Sequence, residues 1–230
     1  MIIDTHTHVV SSDKVKHPLD PGARGWSTEV SNDVEDLIAE MDRAGVECAT
    51  LVQPNATYGL DNTYQCDSAK LYPGRTVAVG ILDPATPDAA DKLSYWVNEH
   101  DMKGVRLQSQ AEHDDPRCDA IWQRAESLGV PISIGGGGQP EKVDQMRNVA
   151  ARHSNVIFAP DHFAGWSGAA DKAGMTIALE NLAKLSNAYL RISSTSLGPY
   201  AELISADQEL FRRVVEAFTP QRIMWGSNFP

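Results

Sequence analysis

Positive charge is scarce in this 230-residue sequence, with 20 Lys and Arg against 31 Asp and Glu and a formal net charge of −11. Nucleic acid and anionic membrane faces are bound by cationic surfaces, so neither is expected as a principal partner. Cysteine is scarce too. Cys48, Cys66 and Cys118 lie far apart and form no Cys-x-x-Cys pair, which argues against a disulfide framework and against a thiolate zinc site. No apolar run approaches the roughly 18 residues that a membrane span needs. The first apolar strand begins at Ile2, with no basic-then-apolar leader ahead of it. The expected setting is a reducing cytoplasm and the expected partner a small molecule; a homo-oligomer stays open.

What is present is an alternation of short apolar runs with amphipathic stretches. The runs read as strands at Ile2–His8, Cys48–Gln53, Thr76–Leu82, Gly104–Gln108, Pro131–Ile134, Val156–Pro160, Ala188–Ser193 and Arg222–Gly226. Helices are expected at Val34–Ala44, Pro87–Asn98, Cys118–Leu128, Glu141–Arg152, Gly174–Leu185 and Leu203–Phe218, several stopped by a following Gly or Pro. This βαβα order predicts a single domain over residues 1–230, a (β/α)8 TIM barrel. The barrel lacks a final helix, because Pro230 follows the eighth strand directly; a shortened chain is the expected reason. Asp13–Gly25, rich in Pro, Gly and charge, reads as a long loop that either covers a site or lies on the surface.

The most informative stretch is Asp4-Thr5-His6-Thr7-His8 at the end of the first strand. Residues i and i+2 of a strand share a face, with Cα atoms about 6.5 to 7 Å apart. His6 and His8 are therefore expected to converge on one ion or one substrate group, with Asp4 on the same face. Pairs of this spacing also occur in turns and on surfaces, but this one stands where α/β folds place their chemistry.

The other strand ends carry further candidates. Tyr58 and Asn62 follow the second strand and are expected to bond substrate, though turn chemistry explains Gly59 and Asn62 equally. Arg106 on the fourth and Arg191 on the seventh sit among apolar neighbours, so each pairs with an acid inside the barrel or binds a substrate carboxylate. Gly135-Gly136-Gly137-Gly138 lacks the Lys-Ser/Thr tail of a phosphate loop and reads as close packing. Asp161-His162 ends the sixth strand and Trp225-Gly226-Ser227-Asn228-Phe229-Pro230 the eighth; His17, His100, His113 and His153 are expected to be solvated.

Together Asp4-x-His6-x-His8, Tyr72-Pro73-Gly74-Arg75, Gly104-Val105-Arg106, Asp161-His162 and Trp225-Gly226-Ser227-x-Phe229-Pro230 resemble the amidohydrolase superfamily. The similarity is to its amidohydrolase 2 branch, the predicted metal-dependent TIM-barrel hydrolases, and is lactonase-like. It implies a barrel hydrolase or lyase acting on a carboxylated or lactone-like small molecule. It also implies a divalent metal ion, zinc foremost, on His6 and His8, usually joined by a later histidine, and an eighth-strand aspartate that binds the ion and moves protons. Two positions depart from that pattern: the fifth strand offers only glycine, and Asn228 stands where the aspartate is usual. An amide neither takes a proton at neutral pH nor offers a negative ligand. Asn228 is then an inactivating change, the natural residue of a divergent subgroup, or a sign of lost catalysis; the second is preferred, because the branch has members that work without metal.

The resulting expectation is a hydrolase that opens a lactone or related ester. His6 and His8 polarise the carbonyl directly or through a metal, His162 assists proton transfer, Arg106 holds a carboxylate and Asn228 orients water or substrate. Tyr58, Asn62 and Arg191 complete the substrate contacts. The rivals are metal-dependent amide-type hydrolysis, nonoxidative decarboxylation and a ligand-binding barrel without catalysis.

Overall fold

Short apolar runs bounded by Gly and Pro form eight strands among the residues described by the computed structural model. Those residues are 1–108, 111–135 and 137–230, with backbone alone for 195–206. The strands are β1 (Ile3–Thr7), β2 (Cys48–Val52), β3 (Thr76–Leu82), β4 (Gly104–Leu107), β5 (Ile132–Gly135), β6 (Phe158–Asp161), β7 (Leu190–Ser193) and β8 (Ile223–Gly226). The helices are α1 (Val34–Ala44), α2 (Asn55–Tyr58), α3 (Thr63–Leu71), α4 (Ala89–His100), α5 (Asp119–Leu128), α6 (Pro140–Arg152), α7 (Lys172–Leu182) and α8 (Ser194–Phe218). None of the described helices is long and apolar enough to cross a membrane.

All strand pairs are parallel, β1 to β6 in chain order and β7 with β8. The ring is joined by bridges from Phe158 to Ala188 and from Thr7 to Phe229. At the second seam the His8 N–H donates to Phe229 O and the Asn228 N–H to His6 O, each at 2.8 Å. The fold is therefore the expected TIM barrel, with strand ends shifted by one or two residues.

Local chemistry explains where elements begin and stop. Asp33 and Asp36 form a capping box at the start of α1, and Gly45 ends it in the left-handed conformation, φ 72°. Arg75, from the Tyr72-Pro73-Gly74-Arg75 turn, reaches back to Asp42 and to the Val46 and Glu47 carbonyls. That turn is a brace, not a site. The sequence reading placed no helix between the second and third strands, yet α3 lies there. Its buried face mixes Tyr64, Gln65, Cys66 and Ser68, so no apolar 3.6-residue period marks it. Helix α8 likewise begins nine residues before the expected Leu203, a stretch where Gly198 and Pro199 mask helical propensity.

Outward-facing strand residues pack against the helices in two groups. The larger joins β3 to β8 with α4 to α8 around Trp122, Phe158, Leu179 and Phe218. The smaller joins β2 and Val9, just after β1, to α1 around Leu37, Met41 and Leu51. Where β8 meets β1 there is no room for a side chain: a Cβ on Gly226 would stand 2.5 Å from His6 Cβ and 2.9 Å from its backbone N. Gly226→Ala is expected to force β8 from β1 and cost about 1–3 kcal/mol of stability, read as a lower urea midpoint at unchanged m-value; an unchanged midpoint would refute the close approach.

Candidate active site

The histidines converge at the C-terminal ends of the strands. The rings of His6 and His8 are 4.9 Å apart between centroids and nearly perpendicular, and those of His6 and His162 are 4.7 Å apart. His6 is fully buried, His8 is 7 % exposed and His162 is half-buried. Asp4 does not share their face. The β1 register slips between Asp4 and Thr7, a bulge that breaks the strict alternation expected of the motif. Asp4 instead lines a cavity with Leu37, Met41 and Trp225, and its carboxylate accepts the backbone N–H groups of His6, at 3.1 Å, and Ser227, at 2.9 Å. It fixes the frame that carries His6.

Asp161, fully buried, is the hub. Arg106 Nε lies 2.9 Å from Oδ2, Arg191 Nη1 pairs with Oδ1, and His6 Nδ1 is 3.7 Å from Oδ1. Arg191 also donates Nε–H to Thr5 Oγ1 at 3.2 Å. Both arginines thus take the acid-pairing alternative, and Arg106 keeps 17 % of its side chain exposed. Burial pushes the Asp161 carboxyl up, but the two guanidiniums outweigh it and hold the group well below the usual carboxylate range. The same burial lowers His6, although Asp161 opposes the shift. Burial, reinforced by neighbouring His6, takes His8 down to about 3 and His162 down to about 4. All three imidazoles are neutral at pH 7.

Neutrality fixes what His8 can do. Its Nδ1 lies 2.7 Å from the Val52 carbonyl oxygen; a carbonyl only accepts, so Nδ1 carries the hydrogen and Nε2 presents a lone pair. Such a ring does not donate to a substrate carbonyl directly, and its Nε2 lone pair is open to water or to an ion. His162 Nδ1 is hydrogen-bonded to Ser193 Oγ at 2.6 Å. Its backbone begins four consecutive left-handed residues, His162, Phe163, Ala164 and Gly165, with φ 53°, 57°, 54° and 77°. Each non-glycine residue there costs about 1–2 kcal/mol, offset by full burial of Phe163 against Trp166.

Other expected site residues are placed differently. Asn62 is fully buried, its amide bonded to Ile81 N–H and Ile81 O. Tyr58, 4 % exposed, accepts the Ser11 N–H on its hydroxyl. These polar groups bond backbone outside the second loop, Tyr58 at the segment after β1 and Asn62 at β3. Asn228 holds a left-handed backbone, φ 60°, which Asn tolerates better than most residues, and its N–H donates to His6 O. Gly135 does pack closely, since a Cβ there would stand 3.3 Å from Arg106 Nη2, and Gly136 lies outside the described residues. His153 is not solvated: it is 6 % exposed and stacked on Trp122 at 5.7 Å. From the long loop after β1 the sequence reading missed Trp26, whose half-open ring stands 6.2 Å from His8; an aromatic beside a Gly in a loop facing the strand ends was the available signal.

The donor set can be tested against a divalent ion. His8 Nε2 is a competent ligand, and both His6 nitrogens are buried without a hydrogen-bond partner. The one buried carboxylate at the hub is bound to two guanidiniums, and position 228 is an amide. Among the described residues no group of three or more His, Cys, Asp or Glu is placed to hold a metal. The neutral donors there are the imidazoles of His6, His8 and His162, and the nearby carboxylate is already paired with two fixed cations.

A TIM barrel with paired imidazoles at the end of its first strand, an acid and a histidine ending the sixth and arginines from the fourth and seventh has the form of a hydrolytic barrel enzyme. The chain belongs to the amidohydrolase family, whose model matches residues 3–230. It is similar to 4-sulfomuconolactone hydrolase of Rhizobium radiobacter, 23 % identical over 236 residues that cover 99 % of this chain and 75 % of that protein. Among solved structures it resembles a probable 2-pyrone-4,6-dicarboxylic acid hydrolase from Acinetobacter baumannii with citric acid bound, TM-score 0.78 at 21 % identity, covering 100 % of this chain and 84 % of that one. It also resembles an amidohydrolase from Burkholderia multivorans with bound zinc, TM-score 0.74 at 20 % identity, with the same 100 % and 84 % coverage.

Histidines kept neutral by burial make stability fall on acidification. The unfolded chain takes up the protons of His8 and His162 near pH 6.5 whereas the folded chain resists until about 3 and about 4, so their contribution is complete above pH 6.5 and is lost as pH falls below it. Between pH 6 and pH 5 the unfolding free energy should drop by up to about 1.4 kcal/mol per pH unit for each histidine. His162→Asn should remove one such share; urea titrations with identical slopes in both proteins would contradict the assignment.

Proposed function

We propose that this chain opens the lactone, or a related ester, of a small carboxylated molecule by attack of water. The reading is carried by the Val52–His8 bond, which leaves Nε2 as a fixed acceptor at the mouth of the site. Water held there gives its proton to His8 Nε2 while its oxygen bonds to the acyl carbon. The ring C–O bond then breaks, and the proton passes to the departing oxygen, leaving a hydroxy acid. In the tautomer in which Ser193 Oγ donates to Nδ1, His162 carries its hydrogen on Nε2 and polarises the carbonyl. Arg106, paired through Nε and partly exposed, offers its remaining N–H groups to the substrate carboxylate. His6 holds the two rings apart beside Asp161, and Trp26 walls the entrance.

The names of similar proteins support this chemistry, since 4-sulfomuconolactone and 2-pyrone-4,6-dicarboxylic acid are anionic lactones. Related barrels bind metal, as the zinc-bound Burkholderia multivorans protein does. In this chain His6 and His8 would hold such an ion, which would supply a Lewis acid for the carbonyl; the ring-opening steps use the chain's own residues. A cytoplasmic setting, with no nucleic-acid or membrane partner, is part of the same proposal and rests on the acidic surface and free thiols.

The test follows ring opening of unsaturated carboxylated lactones by loss of their ultraviolet absorbance. His8→Ala should lower kcat by about 10²–10⁴, whereas Arg106→Gln should act mainly on KM for carboxylated substrates and little on a neutral lactone. No turnover of any carboxylated lactone, or full activity in His8→Ala, would reject the proposal.

A further inference from the structure

TIM-barrel interiors are ordinarily filled by layers of bulky branched side chains. One layer beneath the arginine–aspartate hub this barrel departs from that rule. Gly104 stands two residues before Arg106, Ser133 two before Gly135 and Ala159 two before Asp161, so strand alternation puts all three on the inward face. None has a large side chain. Together with Val79, Ile132 and Met224 they line a cavity of about 320 Å³, within the range of small-molecule pockets.

The cavity opens away from the histidines. Its lining includes Pro131, Ile157 and Tyr189, at or just before the N-terminal ends of β5, β6 and β7, and Ile157 is 51 % exposed. Arg191, bound to Asp161 and Thr5, forms the layer between it and the active site. The walls are apolar except for that arginine and Ser133. Ser133 is only 5 % exposed, and its Oγ has no hydrogen-bond partner. A buried hydroxyl left unmatched costs about 1–3 kcal/mol, a cost that a ligand bearing one polar group would remove.

We propose that this cavity is a second small-molecule site, back to back with the active site. It takes a compact, mostly apolar molecule the size of a substituted benzene, with one hydroxyl that pairs with Ser133 Oγ. Apolar contact with Val79, Ile157 and Met224 provides the affinity, and Ser133 the orientation.

The probe is phenol, titrated into protein carrying ¹³C-labelled Ile, Val and Met methyl groups. Saturable shifts are expected at Val79, Ile157 and Met224, and they should persist in His8→Ala. Ser133→Ala should weaken phenol about five- to tenfold. Ala159→Leu fills the cavity and Ile157→Trp closes its mouth, and each should weaken binding about tenfold or more with the fold intact by circular dichroism. Ile157 lies at the exposed mouth, so its variant reports even if Ala159→Leu fails to fold. The proposal is overturned if phenol gives no saturable shift up to its solubility limit, if shifts are confined to residues around His8, or if Ile157→Trp binds phenol as the unmodified chain does.

Discussion

Asp161 is a carboxylate with no exposed surface, and the rest of the site depends on its being held as an anion by Arg106 and Arg191. Removing one partner from such a buried pairing is typically worth 3–5 kcal/mol, about as much as a domain can lose and still fold. The pairing ties β4, β6 and β7 together at one level of the barrel and stands beside His6 on β1. It also decides the electrostatics. The acid is spent on guanidiniums, so it is neither a free base nor a metal ligand, and the cations help keep three neighbouring histidines neutral.

Neutral imidazoles in fixed orientations then divide the work. His8 is oriented by a main-chain carbonyl from β2, and His162 by a hydroxyl from β7. His162 reaches its place through a run of left-handed residues, and β8 closes on β1 through a glycine that admits no side chain. Backbone strain at one strand end and close packing at another are the conditions under which the rings meet. Beneath them the barrel is left unfilled, and a space that most such folds use for packing becomes available for binding.

The alternation of apolar runs and amphipathic stretches made the barrel legible, because parallel strands buried on both faces read as short continuous runs. Helix α3 was hidden by polar residues on its buried face, and the start of α8 by Gly198 and Pro199. The histidine pair and Arg106 were visible at strand ends as residues costly to bury without purpose. Which partner each would find was not visible. The bulge that turns Asp4 outward, the Val52 carbonyl that sets the His8 tautomer and the convergence of two arginines on Asp161 arise from register and three-dimensional proximity, which spacing along the chain does not encode. Asn62 and Tyr58 bond buried backbone groups of β3 and of the segment after β1, partners brought near only by the fold.

The proposed chemistry runs on imidazoles and guanidiniums, with no step carried by a resident ion. Elemental analysis of the purified protein, paired with its rate of lactone opening after exhaustive chelation, tests that most directly. Metal well below one ion per chain and an unchanged rate are predicted. Stoichiometric zinc or manganese, with activity lost on chelation and restored by the ion, would contradict it.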